Sequence, residues 1–198
     1  ASALLAIGAL SGQLAAAAVP GFSNLVFFGD SLSDTGNTQN LLSNIPPPFG
    51  PIIAPNPAEP YDGGRFSNGP IWTEFLAADL GFPGAANPLH MGGRNFSFAG
   101  ARTGGLPSYS LSSFSPIPSV SYQIENIWGP LAPVADPNAL YVVVAGGNDM
   151  RDARTIAPGT DDLSKAYRQL AAEAAIANLK SSLGLLAQRG AKNVLVSN

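Results

Sequence analysis

The sequence contains no cysteine, a single histidine and few charged residues: Asp, Glu, Lys and Arg make up 12% of its 198 residues. A chain without cysteine forms neither a disulfide framework nor a thiolate metal site. One histidine with scattered carboxylates does not predict a metal centre. There is no run of Lys or Arg and the net charge is −3, so the composition argues against a nucleic-acid partner.

Long apolar runs are also scarce, and none reaches the ~18 residues of a membrane helix, so we expect no stable membrane insertion. Residues 1–14 are almost all small or apolar and uncharged, and 15–18 offer an A-x-A cleavage site. This pattern is typical of the end of a signal peptide, although an initiator Met and a basic region are missing. The alternative is an Ala-rich buried helix. We expect a signal-peptide remnant at 1–18, one domain at 19–198, and a secreted or periplasmic protein.

Short apolar runs alternate with helical patterns along the domain. Buried strands are predicted at 25–28, 95–99, 139–145 and 193–196. Helices are predicted after a turn within 31–42, between Pro70 and Gly81, over 120–128, and between Asp161 and Gly190. This alternation predicts an α/β domain with a parallel sheet.

Three polar or Gly-rich clusters follow predicted strands, and in an open parallel sheet ligands bind beyond the carboxyl ends of the strands. The clusters are GDSLS at 29–33, Gly100-Ala101, and GGND at 146–149. Each alone is more often an ordinary turn or helix cap. Together they offer what acyl transfer requires: the Ser31 hydroxyl as nucleophile, and the amides of Gly100 and Asn148 as donors to an oxyanion.

The same clusters belong to a longer set of motifs. The segment FGDSLSDTGN at 28–37 closely resembles block I of the GDSL, or SGNH, hydrolases. The segment GRFSNGP at 64–70 is similar to the one that follows in their bacterial lipase/lecithinase-like and plant branches. NFSFAGA at 95–101 resembles block II, and GGND at 146–149 matches block III. The resemblance runs from about residue 25 to residue 198.

The resemblance implies a flavodoxin-like three-layer α/β/α sandwich with a parallel sheet. It implies Ser31 as nucleophile, with Gly100 and Asn148 in the oxyanion hole beside the Ser31 amide. It implies a carboxylic-ester hydrolase acting on a small-molecule or lipid ester without a cofactor. Two alternatives stay open: an acyltransferase of the same fold, and a binding module that has lost catalysis.

The sequence departs from the family at the catalytic base. The family takes its acid and base from an Asp-x-x-His motif near the C terminus, whereas the single histidine here is His90, with Asn87 three residues before it. His90 is therefore expected to be a loop side chain. We expect the missing motif, with the last strand of the sheet, to lie beyond Asn198, and the chain as given to be inactive.

The other polar residues near these motifs are expected to have structural roles. Asp30 and Asp34 should brace the nucleophile turn through backbone hydrogen bonds, and Asp149 should hold its own loop. Arg65 and Arg102 could line the cleft, but solvation at the surface is the simpler expectation.

Overall fold

A computed structural model describes residues 21–48, 61–105 and 117–197 of the chain. In this part three parallel strands form one sheet in the order β1 (Leu25–Gly29), β2 (Leu140–Val144), β3 (Asn193–Ser197). Gly29 lies beside Val144, which lies beside Ser197. The carboxyl ends of all three strands therefore lie at one edge of the sheet.

Both faces of β1 and β2 are covered, which explains why these two strands are continuous apolar runs. On one face, Phe28 and Tyr141 pack against Trp128 and Leu186. On the other face, residues of β1 and β2 pack with Ala77 and with small residues of a 3-10 turn. In β3 the exposed fractions of Val194, Leu195 and Val196 are 37%, 47% and 40%.

Helices form the two outer layers. They are α1 (Asn37–Ser43), α2 (Trp72–Asp79), α3 (Val120–Tyr122), α4 (Gly129–Leu131), α5 (Gly147–Ile156) and α6 (Asp162–Gln188). A π-helix, Gln123–Trp128, joins α3 to α4, and two 3-10 turns span Pro83–Ala86 and Leu89–Met91. The predicted α/β/α architecture with a parallel sheet is confirmed.

The predicted strand at 95–99 is not a regular strand, which corrects the sequence-based expectation. The segment does run beside β1: Phe96 N–H donates to Phe27 O at 2.7 Å, and Phe98 N–H donates to Gly29 O at 3.0 Å. On the side of the segment that faces away from β1, the Asn37 amide donates to the carbonyls of Asn95 and Ser97. The segment is thus bonded to β1 on one side and to a side chain on the other.

The predicted helices are found with small shifts at their ends. The Asp161 side chain accepts a hydrogen bond from Ser164 N–H and caps α6, and Gly190 follows that helix with φ 105°. The N-cap of α2 is Ile71. The alternation of strands and helices did not reveal α5, which begins within the GGND motif.

Some sequence-based expectations fall outside this part of the chain. The signal-peptide remnant predicted at 1–18 lies outside the described residues, as does the start of the domain predicted at 19–198. Among the helices that are described, none combines the length and the apolar character needed to cross a bilayer.

Candidate active site

Ser31 lies in a tight turn directly after β1. The N–H groups of Ser33 and Asp34 both donate to Asp30 O at 3.0 Å, which reverses the chain within four residues. Asp34 and Ser33 are buried, whereas Ser31 is partly exposed at the outside of the turn. Gly29 permits the turn to start here, since a Cβ at that position would lie 2.7 Å from Val144 O.

The Asp30 carboxyl next to Ser31 is buried and supports the turn. Its Oδ1 accepts from Leu32 N–H at 3.0 Å, as the sequence predicted. Burial raises the pKa of the Asp30 carboxyl above its ordinary value of 3.8; the bond from Leu32 opposes that rise, and the nearby Asp149 carboxylate adds to it. Burial is therefore the largest influence on the pKa of Asp30.

Gly100 lies in a turn that is attached to the end of β1. The bond from Phe98 N–H to Gly29 O fixes the start of this turn, and Ala101 N–H donates back to Phe98 O at 3.0 Å. Gly100 has φ 84°, a left-handed conformation that an L side chain rarely adopts. The backbone amide of Gly100 thus lies in a segment that is bonded to the strand preceding Ser31.

Asn148 is the second residue of α5 and lies beyond the carboxyl end of β2. The residue is 6% exposed, and its Nδ2 donates to Ala101 O at 2.8 Å. A primary amide carries two N–H groups, so this bond orients the second one. The bond places the amide of Asn148 next to the residue that follows Gly100.

Two further side chains of α5 hold the segment after Gly100. Asp149 accepts from the N–H and the hydroxyl of Thr103, at 3.0 and 2.8 Å. Asp152 forms an ion pair with Arg102, whose side chain is 12% exposed. Asp149 therefore holds the neighbouring loop at Thr103. The prediction that Arg102 is solvated at the surface is wrong, because Asp152 pairs with it.

Two of the three predicted site residues follow neighbouring strands at one sheet edge, and Gly100 lies in the turn after the irregular segment that is bonded to β1. Ser31 follows β1 and Asn148 follows β2, while the Gly100 turn is bonded to β1 at Gly29 and to the Asn148 side chain at Ala101. Residues that follow two strands meet at one sheet edge only if the strands are parallel neighbours. β1 and β2 are parallel neighbours.

A cleft of about 700 Å³ opens beside Ser31. Trp72 forms part of its wall and is tied to the Ser31 turn, because its Nε1–H donates to Leu32 O at 2.9 Å. The described residues that line the cleft are uncharged: Ser31, Leu32, Phe66, Ser67, Pro70, Ile71, Trp72, Val142, Val144, Leu195 and Ser197. Such a lining suits the apolar part of a substrate.

An ion pair holds the loop that supplies Phe66 and Pro70 to this wall. The Arg65 guanidinium donates from Nε and Nη2 to the two carboxylate oxygens of Glu74, both at 2.7 Å, and Glu74 also accepts from Ile71 N–H. The Arg65 side chain is only 21% exposed. The prediction that Arg65 is solvated at the surface is therefore wrong. The ion pair fixes the loop to the start of α2.

We predict that Glu74→Gln lowers the free energy of unfolding by about 1–2 kcal/mol near pH 7, because charge-assisted hydrogen bonds to Arg65 are lost. Burial acts to raise the pKa of Glu74, but the bonds from Arg65 and Ile71 outweigh it and hold the pKa below 4.5. A lowered folded-state pKa stabilises the fold above the unfolded pKa, and this contribution disappears as pH falls through the folded value.

Urea unfolding at several pH values measures this effect. The difference between wild type and Glu74→Gln should be constant from about pH 7 to about pH 5.5 and shrink below about pH 4.5. Glu125→Gln, the same change on an exposed side chain, is the control and should have little effect. A difference that persists unchanged at low pH would contradict the role of the charged pair.

His90 lies on the exposed side of the Leu89–Met91 turn. Its ring is near Gly36, where an added Cβ would be 3.9 Å from His90 Cε1. The residue is a loop side chain, as the sequence predicted.

Sequence reasoning missed the buried Gln123, which supports the start of the turn that contains Ser31. Its Oε1 accepts from Gly29 N–H and its Nε2 donates to Gly29 O, both at 2.9 Å. The sequence signal that could have identified Gln123 is its position as a lone amide among the apolar residues Val120, Ile124 and Trp128 of a helical segment.

Comparison with known proteins agrees with this architecture. The sequence model of the family described as GDSL-like Lipase/Acylhydrolase matches residues 25–198, which is most of the chain.

Individual relatives match over shorter stretches. A phosphatidylcholine-sterol acyltransferase of Aeromonas hydrophila is 44% identical over 81 residues, covering 41% of this chain and 21% of that protein. A GDSL esterase/lipase of Arabidopsis thaliana is 36% identical over 92 residues, covering 40% and 22%. A secreted effector protein of Salmonella typhimurium is 38% identical over 94 residues, covering 47% and 18%. The chain spans about a fifth of the length of these relatives.

Proposed function

Because this chain belongs to the GDSL-like lipase/acylhydrolase family, we propose that it cleaves carboxylic esters with the Ser31 hydroxyl as nucleophile. The observation that carries this proposal is the bond from the Asn148 amide to Ala101 O, which joins the segment after β2 to the Gly100 turn beside β1. It brings two candidate oxyanion donors to the edge at which Ser31 lies.

The proposed reaction proceeds through an acyl-enzyme. Ser31 Oγ attacks the ester carbonyl carbon while a base takes the hydroxyl proton, and the carbonyl oxygen becomes an oxyanion. The tetrahedral intermediate expels the alcohol, which receives that proton. Water then attacks the acyl-enzyme, releases the carboxylic acid and restores Ser31.

The oxyanion is proposed to accept hydrogen bonds from Ser31 N–H, Gly100 N–H and the second N–H of Asn148. All three groups are held by the backbone or by a buried side chain, so they need no reorganisation as negative charge develops. The left-handed backbone at Gly100, with no side chain beside its amide, allows close approach by the substrate.

The base is proposed to be a histidine of the full-length protein other than His90. A serine hydroxyl at its ordinary pKa is a poor nucleophile without an adjacent base. His90 is exposed on its 3-10 turn near Gly36. The family pattern of Asp-x-x-His supplies a suitable base and the carboxylate that orients it.

The uncharged cleft beside Ser31 supports an ester with an apolar acyl group as substrate. Phe66, Pro70 and Trp72 offer apolar surface within the same cleft as the serine hydroxyl. The proposed substrates are therefore lipid esters or small-molecule esters.

Acyl transfer to an alcohol is the second candidate, supported by the likeness to a phosphatidylcholine-sterol acyltransferase. In that reaction an alcohol replaces water in attacking the acyl-enzyme. We also propose that the protein is exported, on the N-terminal sequence pattern and the likeness to a secreted effector protein.

Turnover of p-nitrophenyl butyrate by the full-length protein tests the proposal. Hydrolysis predicts equal yields of p-nitrophenol and butyrate, and the same yields when a primary alcohol is added. Transfer predicts that butyrate falls while the butyrate ester of the added alcohol appears. Absence of p-nitrophenol release across acyl chains of several lengths would instead support a binding module.

A further inference from the structure

Asp34 lies three residues after Ser31, is fully buried and does not line the cleft. Its carboxylate accepts four backbone N–H bonds. Oδ1 accepts from Gly36 at 2.8 Å and Asn37 at 2.7 Å, and Oδ2 accepts from Thr38 at 3.1 Å and Ala99 at 3.0 Å. Three of these bonds are within the Ser31 segment, and the fourth reaches the residue before Gly100.

Thr38 strengthens the same connection. Its Oγ1 accepts from Ala99 N–H at 2.7 Å, so this N–H is shared between Thr38 and Asp34. Ala99 N–H is thus held by two buried acceptors that both belong to the Ser31 segment.

Two asparagines fix the surrounding backbone. The Asn95 Nδ2 donates to Ser33 O at 2.6 Å, while the Asn37 Nδ2 donates to Ser97 O at 3.0 Å. The Asn95 amide thus donates to the Ser31 segment, and the Asn37 amide donates to the segment that precedes Gly100. The Asp34 carboxylate is the charged member of this group, and the bond it accepts from Ala99 N–H involves the residue directly before Gly100.

The environment of Asp34 is costly for a carboxylate. Burial raises its pKa above the ordinary value of 3.8, and the bonds from Thr38, Gly36, Ala99 and Asn37 oppose that rise. Burying a charge is expensive unless it is paired or hydrogen bonded, and the backbone N–H donors around Asp34 supply those bonds. Through its bond from Ala99, Asp34 connects the segment that contains Ser31 to the turn that contains Gly100.

We propose that Asp34 is a positioning residue for the oxyanion hole, which sets the Gly100 amide relative to the Ser31 hydroxyl by bonding to the backbone of both segments. This proposal rests on the proposed function. It concerns the part of the site that stabilises the tetrahedral intermediate, so it predicts a loss in kcat with little change in KM.

Asp34→Asn and Thr38→Val in the full-length protein test this role. Asp34→Asn replaces one acceptor oxygen by an NH₂ group that faces N–H donors, and Thr38→Val removes the second acceptor for Ala99 at nearly constant volume. We expect kcat to fall by roughly 10–100-fold for Asp34→Asn and less for Thr38→Val, because small displacements of catalytic groups have effects of this size. Thr38→Ser keeps the hydroxyl and should restore activity.

Inhibition by an alkyl boronic acid separates positioning from simple loss of folded protein. The boronate mimics the tetrahedral intermediate, so its inhibition constant should rise in proportion to the loss of kcat/KM. A smaller folded fraction would lower the apparent kcat but leave this inhibition constant unchanged. Asp136→Asn is the matched control: this carboxylate accepts from Ser23 and Asn138 before the amino end of β2, and its loss should not alter kcat.

An Asp34→Asn variant with a lower melting temperature but unchanged kcat and boronate inhibition would overturn the proposal. So would a Thr38→Val variant with normal kcat in a protein that folds. Failure of the proposed function is a different result: Ser31→Ala would then leave ester turnover intact, whatever the Asp34 variants do.

Discussion

Replacing Ser31 with alanine in the full-length protein is expected to lower kcat for p-nitrophenyl butyrate by about 10⁶-fold, as removal of the nucleophile does in serine proteases. The physical reason is that no acyl-enzyme can form. What remains, roughly 10³–10⁴ over the uncatalysed rate, comes from substrate binding and oxyanion stabilisation. Steady-state kinetics at saturating ester measures the effect. The side chain is partly exposed, so the variant should fold normally.

Ser33→Ala is the matched control for this prediction. It is the same substitution in the same turn, at a hydroxyl that is buried and has no hydrogen-bond partner among the described residues. Its kcat should stay close to that of the wild type. A large loss in both variants would point to damage of the turn, and normal turnover in Ser31→Ala would refute the assignment of the nucleophile.

Asn148→Ala is expected to lower kcat by about 10²–10³-fold, the usual cost of removing one oxyanion donor. The change removes the N–H proposed to face the oxyanion and also the bond to Ala101 O. KM should change little, because the lost interaction strengthens only as negative charge develops on the substrate. Steady-state kinetics together with a thermal melt measure both effects.

Asn193→Ala provides the comparison for Asn148. Its amide also donates to a backbone carbonyl, that of Pro137 at 3.1 Å, but at the amino end of β3 and therefore at the opposite edge of the sheet. It should lower stability slightly and leave kcat unchanged. Equal kcat values for the Asn148 and Asn193 variants would show that the oxyanion hole has been misplaced.

The regular elements of the fold could be predicted because their signals are local. β1 and β2 are unbroken apolar runs, and α6 carries its own start signal at Asp161 and its stop at Gly190. The error at 95–99 has a non-local cause. That segment has the alternating composition of a strand, but the Asn37 amide occupies the side where another strand would bond.

In the candidate site, too, the features with local sequence signals could be predicted and the non-local contacts could not. Ser31, Gly100 and Asn148 could be selected because each follows a recognisable strand or motif. The contacts that hold them could not: Gln123 bonds to Gly29, and Asp34 to Ala99, across more than sixty positions of sequence. The predicted surface solvation of Arg65 and Arg102 is wrong because each pairs with a carboxylate that the fold, and no local sequence signal, identifies.

The central claim, that Ser31 forms the covalent intermediate, is tested most directly by trapping it. Treating the full-length protein with an alkyl fluorophosphonate should form a bond between Ser31 Oγ and phosphorus, with loss of fluoride and transfer of the hydroxyl proton to the base. Peptide mapping by mass spectrometry should locate a single phosphonyl group on Ser31, and this adduct should be absent from Ser31→Ala. A phosphonyl group on another residue of an active protein would contradict the account.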